Sequence, residues 1–306
     1  MLRRSASYLQ FSDPPHFVAW ATLSGILGGF SLWRLRFLDF RGVFCGPSAR
    51  DVLGPGALPG ECFYFLRSRP AEVGIRAHLA LVLPAALLAC LQFVPRIRRR
   101  AAALHRVSGY ASLLLGVLGA VAALPTVRHA FGGDVAAQAA AGTMMILFVA
   151  AQIRGYMMRS WVYGAAIITV RVVMLAASYA VSALGDYHAA QPCDKIDFVL
   201  GGDMGRVLGR YPGCAAFYSG RDRGRHVAAR ADIASADPVE VLTAFNVTYG
   251  MSSWVALMIH VVGVELYLRL SAEGVRHRRE IMNRDERGQI PMPGSETRKT
   301  AREKVA

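Results

Sequence analysis

Charged residues are few in this chain, and so are the motifs that mark soluble nucleotide-binding or nucleic-acid-binding proteins. Of its 306 residues, 18% are charged and 54% are hydrophobic, which is too apolar for a soluble protein of this length. No zinc-finger, helix-turn-helix or aromatic-basic motif is present, so the net charge of +14 indicates basic flanks of membrane spans and no nucleic-acid partner. A nucleotide-binding loop, a nucleophile elbow, a metal motif and a paired-aspartate prenyl-binding motif are also absent.

Between the charged segments lie six stretches that are long and apolar enough to cross a bilayer as helices. Their approximate limits are Phe17–Trp33, Ile75–Pro95, Leu104–Leu124, Ala136–Ile153, Trp161–Leu184 and Thr248–Leu270. The first stretch lacks a small-residue cleavage site, because Trp33, Arg34 and Leu35 follow it, so a retained span is favoured over a signal peptide. The sequence therefore predicts an all-α integral membrane protein whose residues 17–270 form a six-helix transmembrane bundle.

Basic residues in the short links predict the orientation of these spans. The links 96–100 and 154–159 are rich in arginine, as are the segment after Arg269 and the N-terminal tail 1–16. With six spans all four segments fall on one side, which is predicted to be the cytosol. Both termini are then cytosolic, in the endoplasmic reticulum or plasma membrane. The charged tail 271–306 contains proline and glycine and is predicted to be largely disordered.

Four of the five cysteines lie in the two loops that this topology places outside the cytosol. Pairs of cysteines on an oxidising side indicate disulfides. Cys45–Cys62 and Cys193–Cys214 are the simplest of the three possible connectivities. The loop 185–247 is long, contains apolar and aromatic residues, and is predicted to form a disulfide-braced cap over the outer face.

Three polar residues inside the predicted spans are the candidate catalytic groups. Arg171 lies about halfway along span five, and His260 and Glu265 lie on span six. A guanidinium at this depth must face protein or water, because its transfer to lipid costs at least ~2.5–3.5 kcal/mol. Two interpretations are open: a structural ion pair between Arg171 and Glu265, or a polar pocket in which all three residues meet a ligand.

Histidines in membrane helices also raise the question of b-type haem. The candidate axial ligands are His78, His105 and His260. A bis-histidine haem needs two imidazoles at similar depth, whereas a rise of ~1.5 Å per residue places these three near the outer face, the inner face and the middle. The sequence therefore disfavours haem, leaves the cofactor unknown and predicts no metal site.

Sparse polar residues between 75 and 183 follow a recognisable pattern. They are His78, Gln92, Arg96, His105, Arg106, Gly109, Tyr110, Arg159, Ser160 and Arg171. In these residues the chain resembles the predicted membrane proteins of the domain of unknown function 2306 family. The cap segment 192–198 and Cys214 are similar to the longer fungal members. Many relatives have a histidine just before the Arg-Ser pair, where this chain has residues 153–156. The resemblance implies a membrane-embedded fold and no settled activity.

Three functional hypotheses remain open at this point. The first is a membrane-embedded enzyme acting on a lipophilic, terpenoid-like substrate, with Glu265 or His260 handling protons. The second is a haem- or quinone-linked electron-transfer protein. The third is a non-catalytic lipid-binding, transport or scaffold protein. All three predict membrane lipids as the surroundings, and the first adds a lipophilic small molecule as partner.

Overall fold

The computed structural model describes residues 7–11, 14–46, 56–129 and 133–271, with the single residues Arg279 and Met282. Most of the predicted N-terminal tail and the predicted disordered tail after residue 271 lie outside the described residues. The chain divides into two compact units between His260 and Val261. Of the second unit, the structure describes chiefly the last turns of the final helix.

Five helices are long and apolar enough to cross a membrane, which confirms a multi-pass helical protein. They are α3 (Arg69–Gln92), α5 (Ala102–Val127), α6 (Val135–Ile153), α7 (Met157–Leu184) and α11 (Pro238–Leu270). They match the second to sixth predicted spans, but α3 and α11 begin earlier than predicted. The first turns of α11 are less apolar in sequence because protein, and not lipid, covers them: Val239, Val241 and Leu242 are buried.

A further helix, α1 (Pro14–Arg34), packs along α3 and is not one of those five. The indole Nε1 of Trp20 donates a hydrogen bond to the Cys90 carbonyl at 3.3 Å. Higher on the same face, a β-carbon at Gly28 would lie 3.8 Å from the Cys90 Sγ. The two helices are therefore in van der Waals contact at this position.

Small residues also hold α3 against α5 in the centre of the bundle. Ala85 is fully buried, and the Ser112 hydroxyl donates to its carbonyl at 3.0 Å. Gly119 lies so close to Val82 that an added β-carbon would fall 2.5 Å from a valine methyl. Large apolar side chains such as Leu114 instead point outward. This inside-out distribution is the one expected of helices surrounded by lipid.

The loop between α1 and α3 is compact and aromatic. It contains a 3-10 helix, Leu35–Leu38, a turn of π-helix, Phe40–Phe44, and the short helix α2, Cys62–Arg67. The predicted Cys45–Cys62 disulfide is formed, which confirms that pairing. Phenylalanines from all three elements pack into one buried cluster beside the start of α3.

The segment between α7 and α11 folds around a small hydrophobic core and the predicted Cys193–Cys214 disulfide, which is also confirmed. Its elements are β1 (His188–Pro192), α8 (Cys193–Val199), α9 (Met204–Arg210), the 3-10 helix Pro212–Cys214, α10 (Ala215–Tyr218) and β2 (His226–Arg230). The two strands pair antiparallel, with His188 opposite Arg230. The all-α prediction missed this hairpin, whose strands are short, rich in alanine and only partly buried.

Both disulfide-bonded loops lie together at one end of the bundle. Arg67 pairs with Asp194 at 2.7 Å, and the rings of Phe63 and Phe198 are 5.6 Å apart. At the N-terminal end of α1, the backbone N–H of Arg96 donates to the Leu9 carbonyl at 3.1 Å. The basic link α4 (Pro95–Arg100) thus packs against the N-terminal segment.

Candidate functional site

The in-span residue Arg171 contacts a carboxylate that the sequence did not suggest. Its Nη2 lies 3.7 Å from Oε1 of Glu61, and the two side chains are 27% and 13% exposed. Glu61 directly precedes Cys62, so the Cys45–Cys62 disulfide fixes its backbone. The other carboxylate oxygen accepts a hydrogen bond from the Leu58 N–H at 3.0 Å. One side of Glu61 is therefore held by the loop, while the other side faces the guanidinium.

Arg171 lies at the capped end of the bundle. Its neighbours Val170 and Met174 belong to the same buried cluster as Ala137, in the first turn of α6, and Tyr249 of α11. Thirteen residues of α7 follow Arg171, or about 20 Å of helix. Near the end of that extension, Ser182 accepts a hydrogen bond from the backbone of the cap. Arg171 therefore lies about halfway along α7, as the sequence predicted, but level with the first turn of α6, because α7 continues past it to the cap.

Two more arginines gather beside this pair at the end of α1. Arg34 interacts electrostatically with Arg171, Glu61 and Arg36. The guanidinium of Arg34 lies over the ring of Trp33 at 4.4 Å, and that of Arg36 lies over the same ring at 3.9 Å. Stacking on an aromatic face orients a guanidinium and leaves its N–H edge available for other partners.

Tyr249 completes the cluster from the side of α11. The residue is buried, and its phenol interacts electrostatically with both Arg171 and Glu61. The next residue, Gly250, lies against the start of α6, where an added β-carbon would fall 3.0 Å from an Asp134 oxygen. α6 and α11 therefore approach closely beside Tyr249.

His260 has both ring nitrogens engaged between α7 and α11. Nδ1 lies 2.6 Å from the Val162 carbonyl, and Nε2 lies 2.7 Å from the Thr169 hydroxyl. A carbonyl only accepts, so Nδ1 donates to it, and in the neutral ring Nε2 accepts from Thr169. This arrangement joins two helices through both ring nitrogens, and the predicted proton-transfer role of His260 stays a prediction.

The other two haem candidates, His78 and His105, lie far apart. Nδ1 of His78 donates to the Gly119 carbonyl at 2.9 Å. Gly119 is fourteen residues beyond His105 on α5, which is a distance of about 21 Å along the helix axis. One haem cannot use both of these histidines. Among the described residues, no group of three or more His, Cys, Asp or Glu is arranged to hold a metal ion.

Glu265 lies in the last turns of α11, in the second compact unit, so the predicted pairing of Glu265 with Arg171 stays a prediction. His260, the other candidate residue on the same helix, belongs to the first unit. Five residues separate the two on one helix, which places their side chains about 140° apart around the axis.

A buried lysine in the cap is a second feature that sequence reasoning missed. Lys195 is 2% exposed, and its Nζ lies 5.6 Å from the centre of the Tyr64 ring. The ring of His129 also stacks on Tyr64, with the ring centroids 4.4 Å apart. Burial lowers the pKa of Lys195 to about 8, against the opposing effect of Asp194. The signal in the sequence was that Lys195 is the one lysine before residue 299.

Comparison with known proteins gives one informative similarity. The chain is 24% identical to a protein of Aspergillus versicolor described as Ava biosynthesis cluster protein G, over 85% of this chain and 90% of that protein. No family model matches the chain, and no solved structure matches it. The resemblance to the domain of unknown function 2306 family therefore stays a prediction.

Proposed function

We propose that this chain is a six-span membrane protein of a biosynthetic pathway, and that the Arg171–Glu61 pair acts on a lipophilic substrate. The observation that carries the proposal is the ion pair itself, a fixed carboxylate 3.7 Å from a guanidinium on an apolar helix. Residues that are expensive to place in such a helix are retained for binding or chemistry more often than for stability.

The packing of α1 supports a sixth span. This helix of 21 residues begins near the N-terminal segment that contacts the basic link, and it ends at Arg34 beside the Arg171–Glu61 pair. It therefore extends from one end of the bundle to the other, antiparallel to α3. An α-helix of this length reaches about 31 Å, which matches the apolar thickness of a bilayer.

The two disulfides support the proposed orientation. Both lie at the capped end, and disulfides persist where the surroundings are oxidising. Four consecutive or near-consecutive arginines lie in the link at the other end, which suits the cytosolic face. We therefore place the cap in the lumen or outside the cell, and both termini in the cytosol, in a membrane of the secretory pathway.

The similarity to a biosynthesis cluster protein supports a role in a biosynthetic pathway. The site supports a reaction by proton transfer. A guanidinium in a site of restricted water stabilises negative charge on a substrate oxygen, while a carboxylate removes a proton from one carbon and returns it to another. Glu61 would move the proton and Arg171 would stabilise the charge. The reaction is then an isomerisation or cyclisation without change of mass, and it needs no co-reactant.

Deletion of the gene in its native host, followed by comparison of lipophilic metabolites by liquid chromatography and mass spectrometry, tests this proposal. We expect the deletion strain to accumulate a precursor with the mass of the missing product. Membranes containing the wild-type protein should convert that precursor, whereas membranes with Glu61→Gln or Arg171→Lys should not. Glu72→Gln is the matched control, because Glu72 pairs with two exposed arginines, Arg41 and Arg76.

Other outcomes of the same experiment favour the alternative functions. An accumulated precursor that differs from the product by two hydrogens would replace the proposal with electron transfer. A strain whose metabolites change in amount but not in identity would replace it with a lipid-binding, transport or scaffold role. Full conversion by Glu61→Gln membranes would remove Glu61 from the mechanism.

A further inference from the structure

Among the described residues, the arginines at the capped end outnumber the carboxylates beside them. Arg34, Arg36 and Arg171 contribute three positive charges around the single negative charge of Glu61. Among the described residues, no carboxylate forms an ion pair with Arg34 or Arg36. Asp39, the acidic residue that follows them, turns its carboxylate to the Gly42 N–H at 2.9 Å. Arg34 and Arg36 therefore contribute positive charge that no described carboxylate pairs with.

Several N–H groups of this cluster are shielded from water without a hydrogen-bond partner. They are Nε of Arg34 and both Nε and Nη2 of Arg36. A buried donor without a partner costs about 1–3 kcal/mol, and more when it is charged. The surface arginines of the same region differ, because Arg41 and Arg76 share the carboxylate of Glu72 at 3.3 and 3.6 Å. In the part of the chain that the structure describes, the surroundings of Arg34 and Arg36 lack an anion.

The adjoining surface is apolar and open. Leu32, Trp33 and Leu38 are 59%, 51% and 47% exposed and lie within two residues of the two arginines in sequence. A small inorganic anion would satisfy the guanidinium groups but would make no contact with this apolar surface, which faces lipid in the proposed bundle. An anion attached to a hydrocarbon body satisfies both.

We propose that Arg34, Arg36 and Arg171 bind the anionic head, a carboxylate or a phosphate, of an amphiphilic molecule whose apolar body lies along the end of α1. The planar fork of a guanidinium matches both of these groups by paired hydrogen bonds. This inference rests on the proposed function in one respect, because it takes the amphiphile to belong to the substrate class of that reaction. An anionic membrane lipid supplies the same chemistry, and the binding experiment separates the two sources.

The test is a titration of the purified full-length protein in a neutral maltoside detergent with dodecyl phosphate and with dodecanoate, followed by thermal unfolding and calorimetry. Both amphiphiles should bind and raise the unfolding temperature. Dodecanol, which has the same chain without charge, and inorganic phosphate, which has the charge without the chain, should bind at least tenfold more weakly. Equal binding of dodecanol or of inorganic phosphate would overturn the proposal.

Matched variants show whether the named arginines form the site. The double variant Arg34→Gln/Arg36→Gln should weaken dodecyl phosphate binding at least tenfold. Arg41→Gln/Arg76→Gln removes the same charge from paired surface arginines and should leave the affinity within about twofold. Equal losses in the two double variants would show general attraction to a basic surface and overturn the site. If the first variant does not fold, Arg36→Lys is used instead. Lysine keeps the positive charge but lacks the planar guanidinium, so this variant should still weaken binding.

Reconstitution in lipid discs distinguishes the source of the anion. If the site takes a substrate, dodecyl phosphate should bind equally in neutral phosphatidylcholine discs and in discs with added phosphatidic acid. Competition by phosphatidic acid would instead identify the amphiphile as a membrane lipid and overturn the substrate assignment. Binding without conversion of the precursor refutes only the proposed reaction. If the wild-type protein binds no dodecyl phosphate and Arg34→Gln/Arg36→Gln still converts the precursor fully, only this binding site is refuted.

Discussion

Most of the residues buried on α3 and α5 are alanine, glycine or serine, whereas the hydrophobic core of the cap contains isoleucine, valine and leucine. Ala85, Ala89 and Ser112 belong to the first group, and Ile196 and Val207 belong to the second. In lipid, small residues gain stability by letting backbones approach. In water, a core needs large apolar side chains, because the stabilisation grows with the apolar area removed from solvent. The two regions of one chain therefore depend on different solvents.

Loss of the cap disulfide is expected to have the largest effect on stability, and to act on the cap and not on the bundle. Replacing Cys193 and Cys214 by alanine removes a link across 21 residues and should destabilise the cap by about 3 kcal/mol. The bundle should stay folded, because its packing depends on lipid or detergent. Limited proteolysis in detergent micelles should cut residues 185–237 at least tenfold faster, while the five apolar helices stay protected.

The second disulfide provides the control for that comparison. Cys45→Ala/Cys62→Ala removes a link of similar length, across 17 residues, but in the loop that positions Glu61. This variant should impair conversion of the precursor, while the cap stays resistant to protease. Cleavage of the bundle helices at the same rate as the cap, in either variant, would contradict the separation of the two regions.

The ion pair between the first loop and α7 is expected to have the next largest effect. Replacing Arg171 by methionine leaves Glu61 without this partner and should cost about 2 kcal/mol, less than for a fully buried pair because both side chains are partly exposed. The double variant with Glu61→Gln should cost less than the sum of the single changes, by about 1 kcal/mol. Thermal unfolding in detergent measures each variant.

The same cycle also tests the pairing that the sequence predicted. Arg171→Met combined with Glu265→Gln should show weaker coupling than the combination with Glu61→Gln. A stronger coupling with Glu265 would contradict the assignment of Glu61 as the principal carboxylate. Additive effects with Glu61 would remove the ion pair from the description of the site.

The sequence predicted the bundle better than it predicted the site, for a physical reason. Apolar length and the position of basic links are local properties, so five spans follow from them without knowledge of the packing. The Arg171–Glu61 contact joins residues 110 positions apart, and the position of Glu61 depends on the fold of a whole loop. Nothing local to Glu61 distinguishes it from the other acidic residues of the loops.

The histidines show a related limit. His260 attracted attention because a polar residue in an apolar helix is expensive. Its two hydrogen bonds to α7 offset that cost. Helix periodicity places His260 on a face, but it does not reveal that Val162 and Thr169 provide partners on the neighbouring helix. The disulfides were easier to predict, because four cysteines allow only three connectivities and the two pairs lie in different loops.

The hydrogen bonds of the bundle histidines give a smaller effect, confined to the lipid-dependent region. His260→Phe loses two bonds between helices and should cost about 2 kcal/mol, while His78→Phe loses one and should cost about 1 kcal/mol. Thermal unfolding in detergent measures both, and cap proteolysis should not change. If His78→Phe is the more damaging variant, the count of hydrogen bonds does not explain the roles of these histidines.

The smallest expected effect lies in the cap and depends on pH. Burial lowers the pKa of Lys195 to about 8, below its usual value near 10.5. Above pH 8 the folded protein has lost this proton while the unfolded chain keeps it, so the free energy of unfolding should increase with pH in this window. The gain should be about 1 kcal/mol between pH 8 and pH 9.

Lys195→Met has no such proton and should lack the increase, while Arg67→Met controls for the loss of a nearby surface cation. Chemical denaturation of the cap at the two pH values, monitored by proteolysis, should show the difference between wild type and Lys195→Met. Parallel behaviour of the two proteins would mean that water reaches Lys195 and that the cap interior is less dry than its packing implies.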